Sequence, residues 1–172
     1  MKKLLMMCAA LCSACVLQAE TDYFAMLSIW APGQMPMSVS TRIDGIRLTA
    51  FYGDCARLNG LDVAAGACRV RERFNGLQAA GVFTRAVNAA GAQIACANFV
   101  ENEFYGAQFG LWNHAQHGYG AQFGVVNTAA YFAGVQVGVF NWADDLDGLQ
   151  LGLVNVVPSQ MLSVLPILNV GW

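Results

Sequence analysis

Between Gly60 and Asn169 apolar and polar positions alternate within one short phrase that keeps returning. Its clearest copies are Gly106-Ala-Gln-Phe-Gly-Leu-Trp-Asn113, Gly120-Ala-Gln-Phe-Gly-Val-Val-Asn127, Gly134-Val-Gln-Val-Gly-Val-Phe-Asn141 and Gly148-Leu-Gln-Leu-Gly-Leu-Val-Asn155. They share the pattern G-x-Q-x-G-x-x-N at a spacing of 14 residues, and a fixed short period marks a repeat architecture. Weaker copies begin at Gly91, Gly76 and Gly60 at spacings of 15 to 16, and Asn169 follows Asn155 by 14. Within the last clear unit Leu149, Leu151 and Leu153 fall on one face and Gln150, Gly152 and Val154 on the other, the period of a β-strand. Glycine at the first and fifth positions suits a corner or a close backbone approach and would be poor inside a helix. The chain is therefore all-β.

Two β architectures use such a unit. In a parallel β-solenoid each 14-residue unit is one coil, and like residues stack about 4.8 Å apart. In an antiparallel β-meander each unit is a strand and its turn, and closure gives an outer-membrane barrel. Three features favour the solenoid. The connectors after Asn113, Asn127 and Asn141 are equal in length, whereas outer-membrane barrels alternate short turns with long loops. Glutamine (Gln93, Gln108, Gln122, Gln136, Gln150) and asparagine (Asn98, Asn113, Asn127, Asn141, Asn155, Asn169) recur at fixed positions, which suits amide ladders in an in-register stack. Charge is nearly absent from the repeated positions, as a stack requires, since like charges so close repel by roughly 1 kcal/mol per pair even in bulk water. The barrel alternative draws on the apolar composition, the terminal Trp172 and a row of Val, Leu and Phe that would face lipid.

Outside the array the period fails. Residues 1–19 combine Met1-Lys2-Lys3 with an apolar run and a small residue, Ala19, before Glu20, which reads as a signal peptide and predicts export. Cys15, after Ser13-Ala14, is a candidate lipid-anchor cysteine in an imperfect motif. Residues 20–59 hold two strand-like segments, Tyr23–Trp30 and Ile43–Gly53, around an irregular stretch with Pro32, Gly33 and Pro36. They read as an N-terminal cap, followed by the array over 60–155. Residues 156–172, interrupted by Pro158 and Pro166, read as a C-terminal cap that keeps the open end from templating further strands.

Without residues 1–19 the chain has seven Arg against eleven acidic residues, a net charge of −4, and no Lys. A nucleic-acid partner is excluded, because phosphate binding needs a basic surface. No polybasic run addresses anionic lipid. Three cysteines remain. Cys55 and Cys68, close to one repeat apart, are either a disulfide between stacked neighbours or buried apolar residues, and Cys96 is the odd one.

Candidate chemistry is sparse. His114 and His117 share a segment that supplies no further metal ligand. Asp144, Asp145 and Asp147 offer hard oxygens but lack the spacing of calcium-binding β-rolls. Glu101 and Glu103 have no evident cleft, and no nucleophile elbow, P-loop or dinucleotide fingerprint occurs. The sequence thus predicts no catalytic site, no metal site and no cofactor. The aromatics Tyr105, Trp112, Tyr119, Tyr131, Phe132, Phe140 and Trp142 either pack at coil corners or form an aromatic edge for a protein, glycan or membrane interface.

The units from Gly60 to Asn155, the lead-in Ile46-Arg-Leu-Thr-Ala-Phe-Tyr-Gly53 and the ending Leu165-Pro-Ile-Leu-Asn-Val-Gly-Trp172 together resemble a family of exported bacterial surface-repeat proteins. Its units run G-[LV]-Q-[LV]-G-[LV]-[VF]-N. The resemblance implies a cell-surface or outer-membrane location and brings no catalytic motif. Two units depart from it. Gly60-Leu-Asp-Val63 has Asp for Gln, and Gly76-Leu-Gln-Ala-Ala-Gly81 shifts its second glycine. The expectation is a non-enzymatic envelope protein with a structural or surface-binding role, the small outer-membrane barrel being the alternative.

Overall fold

The computed structural model describes residues 22–30, 34–35 and 41–172. The expected signal peptide with Cys15, and most of the Pro-rich stretch 31–40, lie outside the described residues. The chain forms β1 (Asp22–Trp30), β2 (Gln34–Met35), β3 (Arg42–Ala64), β4 (Ala67–Ala80), β5 (Phe83–Ile94), β6 (Ala97–Phe109), β7 (Trp112–Phe123), β8 (Val126–Val137), β9 (Phe140–Val156) and β10 (Val164–Gly171). They make one sheet in the order β10-β9-β8-β7-β6-β5-β4-β3-β1-β2. Every pairing from β1 to β9 is parallel, and only β2 and β10, at the two ends, run antiparallel to their neighbours. The fold is a parallel β-solenoid. The closed antiparallel barrel is ruled out, because a meander would reverse direction at each step and its sheet would have no ends.

The chain turns three times in each coil. In the coil that starts at Gly106 the first bend is Gly106 itself, with φ +133°. The second is the corner Gly110-Leu111, and the third is Gln116, between the paired positions Ala115 and His117. These bends separate side one (Ala107–Phe109), side two (Trp112–Ala115) and side three (His117–Tyr119). The irregular early units keep this three-sided coil by placing extra residues at bends. Ala64 and Ala80 precede the corner, and Glu101-Asn102 stand where the next coil has Gln116 alone.

The first glycine of each unit is imposed by the neighbouring coil. A Cβ on Gly120 would lie 2.1 Å from the carbonyl oxygen of Gly106, and φ there is +129°. Gly45 and Gly60 share this geometry, so the coil begins earlier than the G-x-Q phrase does. Sides two and three supply the apolar core. Val70, Ala86, Val100, Ala115, Ala129 and Ala143 stack in one buried row. Leu58, Phe74, Phe104, Phe132 and Leu146 belong to a second, in which Gly118 leaves room for the Phe132 ring.

Candidate functional site

Side one turns its glutamines inward. Gln78, Gln93, Gln108, Gln122, Gln136 and Gln150 are fully buried and in register. Each Nε2 donates to the Oε1 of the preceding coil at 2.7–2.9 Å, from Gln93 to Gln150. An amide suits this slot because it carries donor and acceptor on one planar group, so every interior member is satisfied in both directions. Buried without that ladder, the same amides would each cost about 1–3 kcal/mol.

The asparagines form a second interior ladder at the start of side two, and it runs the other way. Nδ2 of Asn98, Asn113, Asn127 and Asn141 donates to Oδ1 of the following coil at 2.8 Å. The other proton of each Nδ2 reaches a backbone carbonyl, Phe109, Phe123, Val137 and Leu151 in turn, at 2.9–3.0 Å. The fifth-position glycine is needed here. A Cβ on Gly124 would sit 2.6 Å from the Asn113 Nδ2 and 3.0 Å from the Asn127 Oδ1. Thr84 opens this ladder by donating to Asn98 Oδ1, and Asn155 closes it on the Gly152 and Leu165 carbonyls.

Asn169 stands elsewhere than its spacing suggests. The chain reverses after β9, so Asn169 lies opposite Gln150, at the end of the glutamine row. It is buried, and neither its side-chain atoms nor the Gln150 Oε1 has a hydrogen-bond partner among the described residues.

The other end of the glutamine row is charged, and the repeat pattern alone does not show it. Gln78 donates to Asp62 Oδ2 at 2.7 Å, and Asp62 accepts from Arg47 Nε and Nη2 at 2.7 and 2.5 Å. Both Arg47 and Asp62 are fully buried. The available signal is the glycine two residues before each of Arg47, Asp62 and Gln78. Burial opposes the Arg47 charge, but the facing carboxylate outweighs it and holds the guanidinium protonated. Cys55 and Cys68 are buried free thiols beside this pair. Cys55 faces Val70 and Cys68 faces Gly53, so the two cysteines are out of register and no disulfide joins them. Burial pushes the Cys55 thiol up to about 12 and raises Cys68 as well, so neither is a nucleophile at neutral pH.

Outside, the three sides are unlike. Side one presents Leu61, Leu77, Ala92, Ala107, Ala121, Val135 and Leu149 in one row and Val63, Ala79, Ile94, Phe109, Phe123, Val137 and Leu151 in the next, with no charge in either. Ile46 and Leu48 extend these rows at one end, and Val170 and Leu168 at the other. Side three is polar. Over its early coils lies a groove of about 730 Å³ lined by Arg42, Asp44, Arg57, Glu72, Arg73 and Asn88, among others. Farther along, Tyr105 and Tyr119 stack with ring centroids 4.6 Å apart, and Tyr131 follows at 5.9 Å. Side two bears Phe99, Trp112, His114 and Trp142, with Arg85 paired to Glu101 near its far edge.

The candidate chemical groups therefore disperse. His114 lies on side two, its Nδ1 3.0 Å from the Thr128 hydroxyl, and His117 lies across the bend on side three beside Glu103 and Tyr131. Glu101 is held by Arg85 at 2.6 Å, and Asp144 accepts from the Trp142 indole at 2.9 Å. Phe132 is core, whereas Tyr105, Trp112 and Trp142 are exposed. Among the described residues no three His, Cys, Asp or Glu side chains converge on a metal-sized site. Compared with protein-family models, with curated proteins and with solved structures, the chain matches none.

Proposed function

We propose that this is a non-enzymatic, exported solenoid of the cell envelope, at the cell surface or outer membrane, that acts as a structural or binding element through its sides. One observation carries the reading. The outward rows of side one are apolar and uncharged over the whole stack, while amides fill the interior behind them. A continuous apolar patch of this length is an interaction surface. Its chemistry is that of contact, and among the described residues the dispersed titratable groups assemble no nucleophile, base and orienting partner. The Tyr105–Tyr119–Tyr131 row adds a second surface suited to stacking on a glycan or a protein. The basic, apolar start of the chain and its likeness to exported surface-repeat proteins support the location.

Cell fractionation with and without detergent, combined with protease treatment of intact cells, tests this reading. The chain is expected in the envelope fraction and cut by protease added outside. Recovery in the cytoplasm, protected until lysis, would overturn it.

A further inference from the structure

We propose that two copies of this chain pair face to face through side one, about a two-fold axis running along the stack, so that each coil meets its own counterpart. Such an axis reverses strand direction across the interface. The row one residue after the glycine in one copy then lies over the row three residues after it in the other. The side chains of the two rows are complementary in size under that operation. Phe109 and Phe123 come over Ala107 and Ala121 of the second copy, and Ile94 over Ala92. Leu77 comes over Ala79, whereas Val135 and Val137 are equal in size. Large meets small through the middle of the face, as isologous contacts require. Toward the ends both rows are large: Ile46 with Leu48, and Leu149 with Leu151.

The aromatic anchors stand centrally. Phe109 and Phe123 stack with centroids 5.1 Å apart and are the aromatic members of these rows, and central aromatics dominate the energetics of protein interfaces. Rungs about 4.8 Å apart from β1 to β10 give a face roughly 43 Å long and about 15 Å wide. Two such faces bury on the order of 1,300 Å², which lies within the range of specific interfaces. A lipid surface is the less favoured occupant. It needs no size complementarity between rows, and it favours flanking Lys and Arg, whereas the chain carries no Lys beyond Lys3 and only acidic charges after Arg85.

Sedimentation equilibrium of the chain purified from its cells, in detergent-free buffer, tests the pairing independently of where the protein resides. Twice the chain mass is expected. Phe109→Glu with Phe123→Glu should raise the dimer dissociation constant at least about 100-fold while leaving the circular dichroism unchanged, since both side chains point outward. Tyr105→Glu with Tyr119→Glu, on side three, should leave it unaltered. The register has its own test. Ala121→Phe and Phe123→Ala should each weaken pairing about tenfold, and the two together should restore it to within about threefold, because the exchanged rows again place large over small. A monomer at all concentrations, or a dimer indifferent to the glutamates, would overturn the pairing. A monomer that floats with phosphatidylcholine vesicles would overturn it in favour of lipid. Loss of pairing with the glutamates but no rescue by the exchange would overturn the axis along the stack.

Discussion

Arg47 lies against Asp62 in the slot that glutamine fills in every later coil, and the two buried side chains are joined by hydrogen bonds of 2.7 and 2.5 Å. An ion pair thus begins the amide row. Removing one partner leaves a bare charge in the interior, whereas replacing both with neutral groups removes the problem. Asp62→Asn should lower stability to urea by about 3–5 kcal/mol. The double change Arg47→Gln with Asp62→Gln, which prolongs the ladder, should stay within roughly 1 kcal/mol of the parent. Equal losses in the single and the double variant would contradict this account.

The glycine column allows a sharper test. Gly120→Ala puts a methyl 2.1 Å from the Gly106 carbonyl oxygen at φ +129°. Thermal unfolding should register a loss of about 2–4 kcal/mol. Gln116→Ala, at an exposed bend of the preceding coil, should change stability by less than about 0.5 kcal/mol.

Position along the glutamine row should matter. Gln122→Leu strands two buried partners, the Oε1 of Gln108 and the Nε2 of Gln136. Gln150→Leu strands only the Oε1 of Gln136, because the Gln150 Oε1 has no partner to lose. The expected costs are about 2–4 kcal/mol for the first and roughly half of that for the second. Chemical denaturation of the two variants compares them directly, and equal costs would show that the bonds act independently of place.

His114 introduces a pH dependence. Burial holds its folded-state pKa below the ordinary 6.5. The unfolded chain therefore binds the proton first, so the contribution of neutral His114 is present above about 6.5 and is lost as the pH falls below it. Melting temperature should drop between pH 8 and pH 5 by more in the parent than in His114→Thr, which repeats the Thr128 of the next coil. Equal slopes would remove His114 from the explanation.

Much of this was legible in the residues. Equal connectors and invariant amides pointed to a parallel stack, because only in-register neighbours can pair identical side chains. Which face points inward was harder. Hydrophobicity alone would send Leu149 and Leu151 to the core, yet they are outside and Gln150 is buried. The reason is that the ladder removes the penalty of burying amides, while sides two and three already fill the apolar interior. Arg47 and Asp62 escaped the pattern because they complete the row by charge and not by amide identity. Asn169 kept the 14-residue spacing but joined the other row, since the chain reverses after β9 and spacing carries no information about direction. Cys55 and Cys68 have a near-repeat separation, but their partners Val70 and Gly53 place them out of register.

The opposed sense of the two interior ladders removes one electrostatic limit on how long such a molecule can grow. Amide dipoles aligned in a single column would add up with each new coil, as peptide dipoles do along a helix, and build opposite partial charges at the two tips. Here the glutamine column points one way and the asparagine column the other. Their fields largely cancel however many units are present, so duplicating a 14-residue segment lengthens the body without charging its ends.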